Sequence, residues 1–103
     1  MLESAQQRAF RGIRESEIYL ALVGPAWPRD LMVQAQADYA ASLGKPCVAI
    51  LLDGQPLPAE LDHDGLVATV TVGPGEFADG RFSSSLEARL AEALERARAG
   101  VPR

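Results

Sequence analysis

The chain has 103 residues, 48% of them hydrophobic and 23% charged, which is the composition of one ordinary globular domain over residues 1–103 and not of a disordered or fibrous chain. A net charge of −4 argues against a general nucleic-acid binder, which needs a basic face to displace counterions from phosphate. One cysteine, Cys47, and one histidine, His63, leave no intrachain disulfide, no thiolate cluster and no His-rich metal site.

Residues 3 to 14 read as a helix. Ser4 and Gln7 have the spacing of a capping box, and Leu2, Gln6, Ala9, Phe10 and Ile13 share one side, with Phe10 and Ile13 as its anchors. Arg8, Arg11 and Arg14 lie mostly elsewhere, and Glu15-Ser16-Glu17 breaks the pattern. Ile18 to Val23 is a short apolar run stopped by Gly24-Pro25, which suits a strand covered on both faces, as in a parallel sheet. Asp30 to Leu43 reads as a helix capped by Asp30 and ended by Gly44. Its apolar repeat is Leu31, Ala35, Tyr39 and Leu43, with Met32 and Ala40 beside it. Cys47 to Leu52 is a second buried strand, stopped by Asp53-Gly54, and Cys47 reads as a small core residue.

The link from Asp53 to Gly65 carries the turn signals Asp53-Gly54, Pro56 and Pro58, with a helical turn expected at Glu60-Leu61. Asp62-His63-Asp64-Gly65 reads as a solvated turn. Leu66 to Val72 is a third strand, in which Thr69 and Thr71 alternate with valines, so it is expected at an edge. Ser84 with Glu87 gives a capping box for a last helix whose buried stripe is Leu86, Leu90, Ala93, Leu94 and Ala97, with Glu92 and Arg96 outside and Gly100 and Pro102 closing it.

The order is α-β-α-β-β-α, an α/β fold with a small three-stranded parallel sheet, right-handed crossovers and flanking helices. No apolar run approaches the ~20 residues that cross a bilayer, and residues 1–14 do not read as a secretory signal, so no membrane contact and a cytoplasmic location are expected.

Ligands of open α/β sheets gather beyond the carboxyl ends of the strands. Here those ends are Gly24-Pro25-Ala26-Trp27, Asp53-Gly54-Gln55-Pro56 and Gly73-Pro74-Gly75-Glu76, and their glycines read first as turn chemistry. None is a GxGxxG or Walker loop, and no cofactor is expected. Between Pro46 and Gly80 stand six acids and no Lys or Arg, a rim that repels a di- or triphosphate, with only Arg29 to offer a positive contact. Trp27, stiffened by Pro25 and Pro28, reads first as a lid packed on the sheet and second as a stacking surface. Any ligand site is expected at one depression bordered by Trp27, Gln36 and Asp53, with Arg29 as a further ligand-binding residue.

Several of these segments together resemble the later part of a TIR domain. Gly24-Pro25-Ala26-Trp27 resembles its strand end, Leu43-Gly44-Lys45-Pro46 its helix exit, and Val48 to Gly54 the following strand and turn. Leu57-Pro58-Ala59-Glu60-Leu61 resembles the segment after that, and Phe82 with the last helix resembles the family's final helix. The resemblance covers most of residues 10 to 97 and implies a truncated flavodoxin-like or TIR-like domain without the family's initial strand, helix and strand. Tyr39-Ala40 with Leu43-Gly44-Lys45-Pro46 is also similar to the helix pattern of nucleoside deoxyribosyltransferases.

Enzymes of both kinds use a helix Glu that would fall at Gln36, eight residues before Gly44 and twelve after Gly24. An amide cannot act as the carboxylate that stabilises an oxocarbenium-like centre, and Asp38 faces another way. The resemblance therefore implies a non-catalytic interaction or assembly module with no catalytic residue. The alternative it implies is a remnant that binds or cleaves NAD or a nucleoside at the strand ends. A homodimer is expected through Ile18–Val23, an apolar edge with no Lys or Pro to block pairing, with a further protein partner allowed.

Overall fold

A computed structural model of the chain describes residues 4–78 and 80–99. Leu2, Gly100 and Pro102, each given a role above, Glu3 at the start of the expected first helix, and Asp79, one of the six acids between Pro46 and Gly80, lie outside the described residues. Helix α1 (Ala5–Glu15) leads to strand β1 (Tyr19–Val23), a 3-10 turn (Trp27–Arg29), helix α2 (Leu31–Ser42) and strand β2 (Cys47–Leu52). A second 3-10 turn (Ala59–Leu61), strand β3 (Leu66–Val72), a short hairpin of β4 (Phe77–Ala78) and β5 (Arg81–Phe82), and helix α3 (Ser84–Ala99) follow.

The caps explain where the helices begin. Ser4 and Gln7 form the expected capping box, with Ser4 Oγ accepting the Gln7 N–H at 3.1 Å and Gln7 Oε1 accepting the Ser4 N–H at 2.8 Å. Asp30 accepts from the Met32 and Val33 N–H groups at 3.0 and 3.2 Å. The cap of α3 is Ser83 and not Ser84: its Oγ accepts the Leu86 N–H at 3.1 Å. Ser83, Ser84 and Ser85 are chemically equivalent in sequence, and the Ser83 hydroxyl is selected because it also donates to Glu76 Oε2 at 3.3 Å.

The sheet is wholly parallel with β2 in the centre, β1 and β3 at the edges, and Leu20 beside Val48 and Ile50 beside Val70 in register. One face packs Ala21, Val23, Cys47, Ala49 and Leu51 against Ala37 of α2, Trp27 and Leu61. The other packs Val48, Ile50, Val70 and Val72 against Leu86, Ala93 and Ala97 of α3. Helix α1 docks on α2, where the Phe10 ring meets the Tyr39 ring edge-on at 5.0 Å. Lys45 Nζ donates to the Arg14 carbonyl at 3.0 Å and ties the end of α1 to the entry of β2.

Two expectations about faces are corrected. Helix α2 buries Ala37 and Ala40, whereas Leu31, Met32, Ala35 and Leu43 are exposed. This helix is apolar on nearly every side, so its periodicity selects no face; the small alanines allow the closest approach to the sheet, and α1 takes up Tyr39. Strand β1 is not covered on both faces: Ala21 and Val23 are buried, but Leu20 is 48% and Leu22 62% exposed. Helix α3 lies over β2 and β3 and leaves that side of β1 open.

Candidate functional site

Parallel pairing fixes which backbone groups each edge presents. Tyr19 N–H donates to the Pro46 carbonyl at 2.9 Å, so Tyr19, Ala21 and Val23 turn their polar groups toward β2. Leu20 and Leu22 therefore turn theirs to the open edge. The same two residues carry the exposed side chains on the α3 side of the sheet. Free hydrogen-bonding groups and bare apolar surface thus coincide on two residues.

The opposite edge is built differently. Cys47 N–H donates to the Gly65 carbonyl and Asp53 N–H to the Val72 carbonyl, so Thr71 points its own carbonyl outward from β3. Arg89 Nη1 donates to that carbonyl at 2.7 Å. The side of β3 left bare by α2 carries Thr69 and Thr71, both exposed. One edge of the sheet is guarded by a cation and faced with threonine; the other is faced with leucine, and among the described residues nothing pairs with it.

Beyond the strand ends, on the α3 side, lies a depression of about 410 Å³ lined by Leu22, Leu52, Val72 and Phe82, the Gly73-Pro74-Gly75 turn and Asp53. The wall formed by that turn is clipped in place. Glu76 Oε1 accepts the Gly73 N–H at 2.8 Å, and Oε2 pairs with the Arg89 guanidinium and accepts from Ser83. The Gly73 N–H first, then Arg89, hold the Glu76 carboxyl below its usual value. Asp53 and Gly54 both adopt positive φ, 51° and 71°, in a turn closed by the Gln55 N–H on the Leu52 carbonyl at 3.0 Å.

Of Trp27, Gln36 and Asp53, expected to border one depression, and Arg29, expected as a further contact, only Asp53 lines this apolar depression. Trp27 is buried on the opposite face of the sheet, its indole N–H donating to Glu60 Oε1 at 3.3 Å, so the packed-lid reading describes it. Gln34 Nε2 donates to the Trp27 carbonyl at 2.7 Å, and Gln36, two residues on and about 200° round α2, is half-buried on the other flank of that helix. Arg29 is exposed on the 3-10 turn.

Cys47 is buried, and burial pushes its thiol up to about 11. His63 Nδ1 accepts the Gly65 N–H at 3.0 Å within its own turn. The sequence placed Glu60 in a helical turn and Phe82 beside the last helix but showed neither the Trp27 contact of the one, the depression lined by the other, nor the Glu76–Arg89 clip, because each depends on partners 13 or more residues away or on a hairpin of two-residue strands that carries no period.

No helix of the described residues is long and apolar enough to cross a membrane. Compared with protein-family models, curated proteins and solved structures, the chain matches none.

Proposed function

We propose that the chain is a non-catalytic, TIR-like assembly module that forms a homodimer through the open edge of β1. The observation that carries this reading is the asymmetry of the sheet. Of its two edges, one is faced with threonine and guarded by Arg89, while the other joins unpaired backbone groups to Leu20 and Leu22. A second copy satisfies both at once, because a two-fold brings identical edges together and extends the sheet to six strands. Gln36 supports the non-catalytic part: an amide stands where resemblance to the NAD-cleaving and deoxyribosyl-transferring enzymes would require a carboxylate.

Sedimentation velocity tests the assembly. At micromolar concentration the expected particle has twice the 11.0 kDa mass of the chain. Leu22→Lys, at a solvent-exposed position, sediments as the single chain with an unchanged circular dichroism spectrum. An 11.0 kDa wild-type particle overturns the reading. So does hydrolysis of NAD or of a nucleoside that Gln36→Ala abolishes.

A further inference from the structure

The register in which two copies meet can be read from β1 alone. We infer that the second copy pairs antiparallel about a two-fold at Ala21, with Leu20 of one chain opposite Leu22 of the other. This register rests on the homodimer proposed above and adds to it a specific set of facing residues.

Antiparallel pairs alternate between residues that exchange both hydrogen bonds and residues that exchange none. The groups that β1 presents at its edge belong to Leu20 and Leu22, so the hydrogen-bonded pairs across a symmetric interface join even-numbered residues. A two-fold at Leu20, Ala21 or Leu22 meets that condition. The strand runs from Tyr19 to Val23 and is centred on Ala21. Only the two-fold at Ala21 pairs every strand residue with a strand residue: Tyr19 with Val23, Leu20 with Leu22, and Ala21 with its own copy. Centring on Leu20 sets Leu22 against Ile18, and centring on Leu22 sets Leu20 against Gly24, both beyond the strand.

The side chains agree with this placement. A two-fold perpendicular to the sheet keeps each face on its own side, so Leu20 and Leu22 of both copies form one cross-strand cluster on the α3 side. On the α2 side the closest position, a non-hydrogen-bonded pair, falls to Ala21, small enough for the two strands to approach. The exposed leucines, the edge-facing backbone groups and the centre of the strand select the same occupant, a second copy of this chain.

Disulfide trapping between single-cysteine variants tests the register. Leu20→Cys and Leu22→Cys are each made in a Cys47→Ala background, so each chain holds one thiol, and circular dichroism checks both folds. In the Ala21-centred pair, positions 20 and 22 of opposite copies stand about 5.5 Å apart at Cα, within the roughly 4.4–6.8 Å that a disulfide spans. Like positions are diagonal and ~7–8 Å apart, against ~4.5–5.5 Å between Cβ atoms of opposite positions, so a small shift closes the bond for the opposite pair and not for the diagonal one. Oxidising an equimolar mixture is expected to give severalfold more cross-linked dimer than oxidising either variant alone. Efficient cross-linking of Leu20→Cys alone or Leu22→Cys alone overturns the register, as does a mixture that fails to cross-link while the wild type sediments as a dimer. A wild type that sediments as a single chain overturns the homodimer itself, and the register with it.

Discussion

Tyr19 and Cys47 sit side by side in register where β1 enters the sheet, and they bind the fold to a proton balance. Burial first, and the neighbouring Cys47 sulfur second, push the Tyr19 phenol up to about 12, while burial pushes the Cys47 thiol from its ordinary 9.0 to about 11. Both groups are neutral when protonated. As pH rises past 9.0 the unfolded chain releases the Cys47 proton and the folded chain keeps it, so unfolding is increasingly favoured. Stability is full below pH 9.0 and falls through about 11, with Cys47 accounting for ~2 kcal/mol of the loss. Urea denaturation at several pH values between 8 and 11 reads this fall directly, ~2 kcal/mol of it from Cys47. Cys47→Ala is expected to remove that share and leave the smaller part that begins above pH 10.0 with Tyr19, and a wild-type curve that stays level contradicts the account. The inert, buried character of Cys47 was legible from its place at the head of an apolar run; its pairing with Tyr19 was not, because register is a property of two segments. Trp27 follows the same division. Its prolines showed a rigid turn, but the Glu60 carboxylate that receives its N–H arrives from 33 residues further along the chain.

At the scale of elements, strands were easier to read than helix faces. Cys47–Leu52 and Leu66–Val72 have the bounds their apolar runs indicate, because Asp53-Gly54 and Gly73-Pro74 punctuate each run where the backbone turns. Helix α2 shows the opposite case. With apolar residues all round, its inward face was settled by which side chains let the backbone come close, and Ala37 and Ala40 prevailed over the larger Leu31 and Leu43. The start of α3 was legible only to within one serine. Since the Ser83 Oγ accepts the Leu86 N–H and ties the cap to Glu76, Ser83→Ala is expected to cost about 1 kcal/mol in thermal or urea unfolding, and exposed Ser84→Ala only a few tenths. Equal costs at the two positions, or a larger one at Ser84, contradict the assigned cap. The same Glu76 carboxylate holds Arg89, and through Arg89 the guard on Thr71, so one short loop links the hairpin, α3 and the β3 edge.

For the whole molecule, the two helix layers are offset across three strands. Each layer leaves one edge strand half bare, and the residues on those bare faces differ in kind: Thr69 and Thr71 on β3, Leu20 and Leu22 on β1. The apolar, unblocked character of residues 18–23 was legible in sequence and pointed to the same edge. The offset was not, since it depends on how far α3 reaches across the sheet, and so β1 read as covered on both faces. The depression at the strand ends was legible in position but not in lining: Asp53 borders it, while Trp27 joins the core of the opposite face. Amide hydrogen exchange on the assembled protein tests the β1 edge most directly. The N–H groups of Tyr19, Ala21 and Val23 face β2 and are protected in any folded state, whereas those of Leu20 and Leu22 face outward and exchange freely in a single chain. The account predicts that Leu20 and Leu22 become as protected as their neighbours at concentrations where the dimer forms, and lose that protection on dilution. Fast exchange at both leucines in a protein that sediments as a dimer would contradict pairing through β1.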